Sequence, residues 1–156
     1  MASSIEYLSL LAVAVLIGKV VLLSFVVAPI LAKALERESF GVVVRRLFPA
    51  YYALGMTAAA VGIASMLMLG IIQETNWIRN LATGIWLTVL AAETYCRSLL
   101  IPHSNAMRDQ LKTQETREAI DPALEHAWYR LHQRSVYLNS FVLLAGLCLL
   151  ALVHQW

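Results

Sequence analysis

The chain has 156 residues, of which 60% are hydrophobic and 14% charged, and a formal net charge of +2. It is far more apolar than a water-soluble globular domain, and its charge is too small to argue for nucleic acid as a partner. Its two cysteines, Cys96 and Cys148, both lie in apolar stretches, so they supply neither a disulfide framework nor a sign of redox compartment.

The first apolar run extends from Tyr7 to Ala32. A helix of roughly 20 residues crosses ~30 Å of hydrocarbon, so this run predicts a transmembrane span. Ala32-Lys33-Ala34 has the small-x-small form of a signal-cleavage site. Against that, the leading residues carry Glu6 and no basic residue, and the run is too long for a signal core. A retained span is expected. Lys19 sits near its middle, roughly 20 Å of helix from either surface and beyond the reach of snorkelling. An ammonium there must meet a partner, line a wet cavity or be neutral.

The segment from Lys33 to Pro49 contains Gly41 and predicts a helix break at the headgroups, followed by a second span from Tyr51 to Ile72. That span carries Gly55, Ala58, Ala59, Gly62, Ser65 and Gly70 at spacings that let backbones approach closely, as expected of a face sealing a bundle core. Met56, Met66 and Met68 are expected to fill gaps. A tight turn from Gln73 to Trp77 makes the third span, Ile78 to Ile101, the antiparallel neighbour of the second.

Glu93 and Arg97 lie on the third span at i,i+4 spacing. Two readings follow. Glu93 and Arg97 bridge each other while Lys19 faces a polar core, or Lys19 and Glu93 face one buried pocket that holds a ligand, proton or ion. Past Pro102, either the helix ends or it continues through Met107 and Leu111. Asp121-Pro122 predicts a helix start, with an Asp cap and Pro in the first turn. From there Leu124, Ala127, Trp128, Leu131 and Ser135 recur at helical spacing into a fourth span, Val136 to Val153. The expectation is a helical hairpin standing on spans three and four and turning near Ile120. Its mixed charges from Arg108 to Glu125 predict a solvated face.

Charge placement sets an expected orientation. Lys33, Arg37, Arg45 and Arg46 lie between spans one and two; Arg97, Arg108, Lys112, Arg117, Arg130 and Arg134 accompany the connection between spans three and four; the opposite side holds Arg79. The positive-inside rule puts both basic segments in the cytoplasm and both termini on the other side of the inner membrane. Tyr7, Trp77 and Trp156 then mark the outer interface, and Phe48, Tyr51, Tyr52, Trp128, Tyr129 and Tyr137 the inner one.

His154 is expected at the outer edge, with His103, His126 and His132 at the basic side. His126 and His132, six residues apart, make a poor chelate, and His103 and His132 differ in height as a haem-ligand pair. No metal-binding spacing and no catalytic constellation is readable. Asn139 reads as a helix-to-helix hydrogen bond.

The stretch Gly18-Lys19-Val20-Val21-Leu22-Leu23-Ser24-Phe25-Val26-Val27-Ala28-Pro29, followed by Phe40-Gly41 and Leu47-Phe48-Pro49-Ala50-Tyr51-Tyr52, resembles the transmembrane protein 205-like family. Bacterial members of that family carry the domain of unknown function 4149. Arg130, His132, Ser135 and Asn139 are similar to its last span, and Pro102 to a Pro after its third. The resemblance implies a four-span helical membrane protein. Its eukaryotic members are associated with platinum-drug resistance and export, and its bacterial members have no assigned activity. It implies no charge at the position of Lys19.

The expected architecture is all-α: one integral membrane domain over residues 1–156, a four-helix transmembrane bundle with a helical extension between spans three and four. The expected function is non-enzymatic. The chain binds a partner or small ligand within the lipid bilayer, as an accessory subunit of a larger membrane complex, as a homo-oligomer or as an export component. Four spans without an inverted repeat offer no alternating-access machinery of their own. Lys19, Glu93 and Arg97 form the expected core site, supported by His132 and Asn139. The alternative is a membrane redox protein holding haem or quinone through His103 or His132 beside Arg97.

Overall fold

A computed structural model describes residues 2–73, 76–115 and 121–155. The expected turn near Ile120, Arg117 and the Trp156 anchor lie outside the described residues, as does the side chain of His154. Among the described residues the chain is helical and without strands. Four helices are long and apolar enough to cross a membrane: Ser3–Ala34, Glu38–Ile72, Trp77–Gln114 and Pro122–Leu152. They consist of α1 (Ala2–Val21), a π-helical segment (Leu22–Val27), α2 (Ala28–Ala34), α3 (Arg37–Ile72), α4 (Trp77–Tyr95), a second π-helical segment (Cys96–Leu100), α5 (Ile101–Glu115) and α6 (Pro122–Leu152).

The bundle closes as a ring. α1 packs on α3 and α6, and α4 packs on α3 and α6. Val13, Leu16, Ala59, Trp86, Val89 and Leu149 fill the middle, fully excluded from the surface. The outer surface is apolar as well, with Leu11, Ile71, Leu87 and Leu144 exposed. A helix bundle that is apolar on both sides has hydrocarbon for its solvent.

The small residues of α3 face inward as expected. Ala58, Ala59 and Ser65 are buried, and a Cβ placed on Gly62 would overlap the indole of Trp86. The absent side chain at Gly62 is therefore the space that Trp86 fills. Of the methionines, Met66 is a buried filler, whereas Met68 points outward.

Both ends differ from expectation in instructive ways. The predicted break between Lys33 and Pro49 is displaced. It falls at Leu35 and Glu36, whose backbones are extended, and α3 then runs unbroken through Gly41 and Pro49. The reason is tertiary. The first turns of α3 are tied to α5, where Arg45 Nη2 meets Asp109 Oδ1 at 2.6 Å and the Asn105 carbonyl at 3.3 Å, and Lys112 pairs with Glu38. Such exposed pairs contribute little individually. What they add is register between α3 and α5. Gly41 lies under the Arg108 guanidinium, where a Cβ would collide with it. Arg108 is thus half-buried against α3 and departs from the solvated face expected of the Arg108–Glu125 charges, whereas Asp109, Lys112, Asp121 and Glu125 are exposed.

At the opposite end, Arg79 is buried at 3% exposure and is no free surface charge. Its guanidinium donates to the Leu69 and Gln73 carbonyls and, at 2.9 Å, to Gln73 Oε1. It braces the C-terminus of α3, giving the Leu69 carbonyl a second donor beside the Gln73 N–H and the Gln73 carbonyl a donor beyond the helix end. Asn76 caps α4 by accepting from the Arg79 N–H at 2.8 Å. The predicted start of α6 is present: Asp121 Oδ1 accepts from the Ala123 N–H at 2.8 Å, with Pro122 at the first position.

The helix also continues past Pro102, and it does so through a π-helical turn. Each π segment ends two residues before a proline, Leu22–Val27 before Pro29 and Cys96–Leu100 before Pro102. A proline ring crowds the carbonyl four residues earlier and offers no N–H. The helix widens to accommodate it, so that the Ala28 N–H reaches Leu23 and the Ile101 N–H reaches Cys96. One turn of each helix is thereby loosened at the same end of the bundle.

Candidate functional site

Lys19 and Glu93 are joined. Nζ lies 2.5 Å from Oε1, and the two side chains are 2% and 1% exposed. The ammonium also sits over the Tyr51 ring, 3.9 Å from its centroid, with the Tyr52 ring at 5.6 Å. Carboxylate on one side and aromatic faces on the other replace the water a bare ammonium would need. The pair joins span one to span three across the second. Gly55 makes the room, because a Cβ there would collide with both the Glu93 carboxyl group and Lys19 Nζ.

Arg97 takes no part. Its side chain is exposed, one turn beyond Glu93, and Glu93 spends Oε1 on Lys19. Glu93 Oε2 is buried without a hydrogen-bond partner among the described residues. His103 is exposed on α5.

Tyr51 and Tyr52 are not the interfacial anchors that the sequence predicts: both are buried, 7% and 2% exposed. They form one aromatic cluster with Phe48. Tyr52 stacks on Phe48 at 5.9 Å, and the Tyr51 and Tyr52 rings meet edge-on at 5.0 Å. Their hydroxyls reach α6. Tyr51 donates to Asn139 Oδ1 at 2.8 Å, and Asn139 Nδ2 donates to the Tyr52 hydroxyl at 3.2 Å and to the Ser135 carbonyl at 2.9 Å. Tyr52 also meets Ser135 Oγ at 3.3 Å. Asn139 thus forms the helix-to-helix bond expected of it, as one hub for two tyrosines. Removing it by Asn139→Leu is expected to destabilise the bundle by about 1–2 kcal/mol, the upper range for interhelical hydrogen bonds in membranes. Detergent-denaturation curves measure this, and coincident curves would show that the network adds nothing.

Beyond this network lies a cavity of about 610 Å³. Its floor is Tyr52, Ser135 and Asn139. One wall is the first π segment with α2, at Ser24, Phe25 and Ala28; the facing wall is α6, at Val136, Ser140 and Leu143. Arg45, Arg108, Trp128 and His132 line it toward the basic end. His132 stacks on Trp128, ring centroids 5.8 Å apart and 10° between planes. α1 packs on α6, but past the π segment α2 packs only thinly on α3, and the cavity occupies the space left between α2 and α6.

The predicted site residues therefore divide. Lys19 and Glu93 form a closed pair beside the cavity without lining it, His132 and Asn139 line it, and Arg97 and His103 do neither. Sequence reasoning missed Tyr51, Tyr52, Gly55, Arg45 and Arg108. The signal for the first three was present: Tyr51 and Tyr52 precede Gly55 by four and three residues, so that they neighbour it on one face of α3. Cys96 is buried near Tyr52, whereas Cys148 is exposed, so they do not form a pair.

No curated protein and no solved structure matches the chain. A family model described as Domain of unknown function (DUF4149) matches residues 11–113, about two-thirds of the chain. The matched region contains Lys19, Glu93, both tyrosines and both π segments, and it stops before the α6 wall of the cavity. The chain belongs to the DUF4149 family.

Proposed function

We propose that this is a non-enzymatic, multi-pass protein of the cell inner membrane that holds a small ligand in the cavity at its basic end. It would act there as an accessory subunit or a component of an export system, with the basic end facing the cytoplasm. The observation that carries this reading is the cavity itself. Its volume lies in the ~300–1,000 Å³ range of small-molecule sites, and its apolar walls converge on a few polar groups. Two loosened helical turns border it, at Ser24 and Phe25 and at Leu100, and π turns recur at functional sites. On this reading the Lys19–Glu93 pair and its tyrosines hold the floor in place.

Ser140→Trp tests it by placing an indole in the cavity from an exposed position on α6. The parent, purified in a mild neutral detergent, is expected to retain a small molecule detectable by mass spectrometry of its extract. The variant should lose it while keeping the helical content and monodispersity of the parent. Stripping a ligand present at ~100 times its Kd should cost the parent about 2.7 kcal/mol of apparent stability. Equal ligand content in parent and variant, or none in either, would refute the reading. Retention of a quinone would favour the redox alternative, for which His132 in the cavity lining is the supporting feature.

A further inference from the structure

We propose that the ligand is an anionic membrane amphiphile, a phosphate-bearing lipid with its head at Arg45, Arg108 and His132 and an alkyl chain between the first π segment and α6. The inference rests on the reading of the cavity as a ligand site and names what that site selects.

Three features of the lining support it. First, the charged or titratable groups toward the basic end are Arg45, Arg108 and His132, and among the described residues no carboxylate lines the cavity. Arg45 spends only Nη2 on Asp109 and Asn105, and an arginine fork carries five donors suited to phosphate oxygens. Second, charge is confined to one end of the cavity. Ser104, Asn105 and the arginines lie there, and Leu23, Phe25 and Leu143 line the part within the apolar runs, beside the uncharged hydroxyl and amide groups of the floor. A free anion has no use for the apolar part, and an uncharged oil has none for the arginines. Third, side chains on facing walls of the cavity reach the outer surface within or at the end of the apolar runs: Phe25 and Val136 are 68% and 50% exposed. A molecule already in the bilayer can enter sideways, head at the interface and chain first in the gap.

The gap has a backbone cause. With the Ala28 N–H diverted to Leu23, the Ser24 carbonyl loses its usual donor, and Pro29 supplies none in its place. The helix is therefore wider and less complete where α2 separates from α6.

The test uses the full-length protein, delipidated in neutral detergent, and lysophosphatidylglycerol as probe. The comparisons are a monoacylglycerol of the same chain length and inorganic phosphate. Thermal-shift titrations should show the lysophospholipid binding about tenfold or more tightly than the monoacylglycerol, the effect expected of charge-assisted hydrogen bonds. Inorganic phosphate should produce no shift. Arg108→Gln should abolish the preference for the charged lipid while leaving the weaker binding of the monoacylglycerol. Arg45→Gln should reduce the same preference, and it serves in place of Arg108→Gln if that variant aggregates. Ser140→Trp should remove binding of both lipids.

Equal affinity for the two lipids, abolished in Ser140→Trp, would overturn the anionic assignment while the ligand-site reading stands. Binding of inorganic phosphate as tight as that of the lysophospholipid would overturn the lipid assignment. No response to any probe, together with an unchanged extract from Ser140→Trp, would overturn both.

Discussion

Lys19→Met alone is expected to destabilise the bundle by about 3–5 kcal/mol, because it strands the Glu93 carboxylate in a buried site. Glu93→Leu should do the same to the ammonium, with the Tyr51 and Tyr52 rings compensating part of the loss. The double variant, Lys19→Met with Glu93→Leu, should lie much closer to the parent than either single. Two buried charges at 2.5 Å offset each other's desolvation, and an apolar pair of similar volume needs no such compensation. Denaturation in mixed micelles, followed by circular dichroism, measures all four proteins and gives the coupling energy directly. Additive single effects would mean that the ion pair is not the contact holding span one to span three. Gly55→Ala, far from either charge in chemistry, should imitate the single variants by pushing Glu93 away from Lys19.

The second large effect is steric. Gly62→Ala should cost about 1–3 kcal/mol, and Gly62→Leu more, since any side chain at this position enters the space of the fully buried Trp86. The atoms in the way belong to the six-membered ring of the indole, so Trp86→Phe should relieve the clash. Gly62→Ala combined with Trp86→Phe is therefore expected to be more stable than the sum of the two single changes predicts, by at least ~1 kcal/mol. The same denaturation assay decides it. A strictly additive double variant would place the contact between α3 and α4 elsewhere. The two experiments are complementary: one probes polar contact between spans, the other close backbone approach, and in hydrocarbon these replace the hydrophobic effect as the source of helix association.

Much of the fold is legible in the sequence. Four apolar runs, the inward face at Ala58, Ala59 and Gly62, the Asp121-Pro122 cap and a helical extension between the third and fourth spans all follow from local pattern. So did the need of Lys19 for a partner, because an unpaired ammonium at that depth is too costly to persist. The choice between Arg97 and Lys19 as the mate of Glu93 was not legible. Spacing along one helix favoured Arg97, and helix rotation, which spacing does not report, turned Glu93 inward and Arg97 outward. Tyr51 and Tyr52 were misread for a similar reason. Aromatics at the end of an apolar run resemble interface anchors, until the helix is found to extend to Arg37 and to carry them into the core.

By itself, then, the order of residues determined the number of spans, their antiparallel sequence, the clustering of basic charge and the depth of the buried lysine, all of which depend on composition within one helix length. Only the tertiary structure decided which side chains meet. It paired Lys19 with Glu93 over 74 residues of chain, brought Asn139 to both tyrosines, and left the space between α2 and α6 that Arg45 and Arg108 face. Those outcomes depend on the rotation and tilt of each helix, and these are set by contacts with its neighbours rather than by anything within its own sequence.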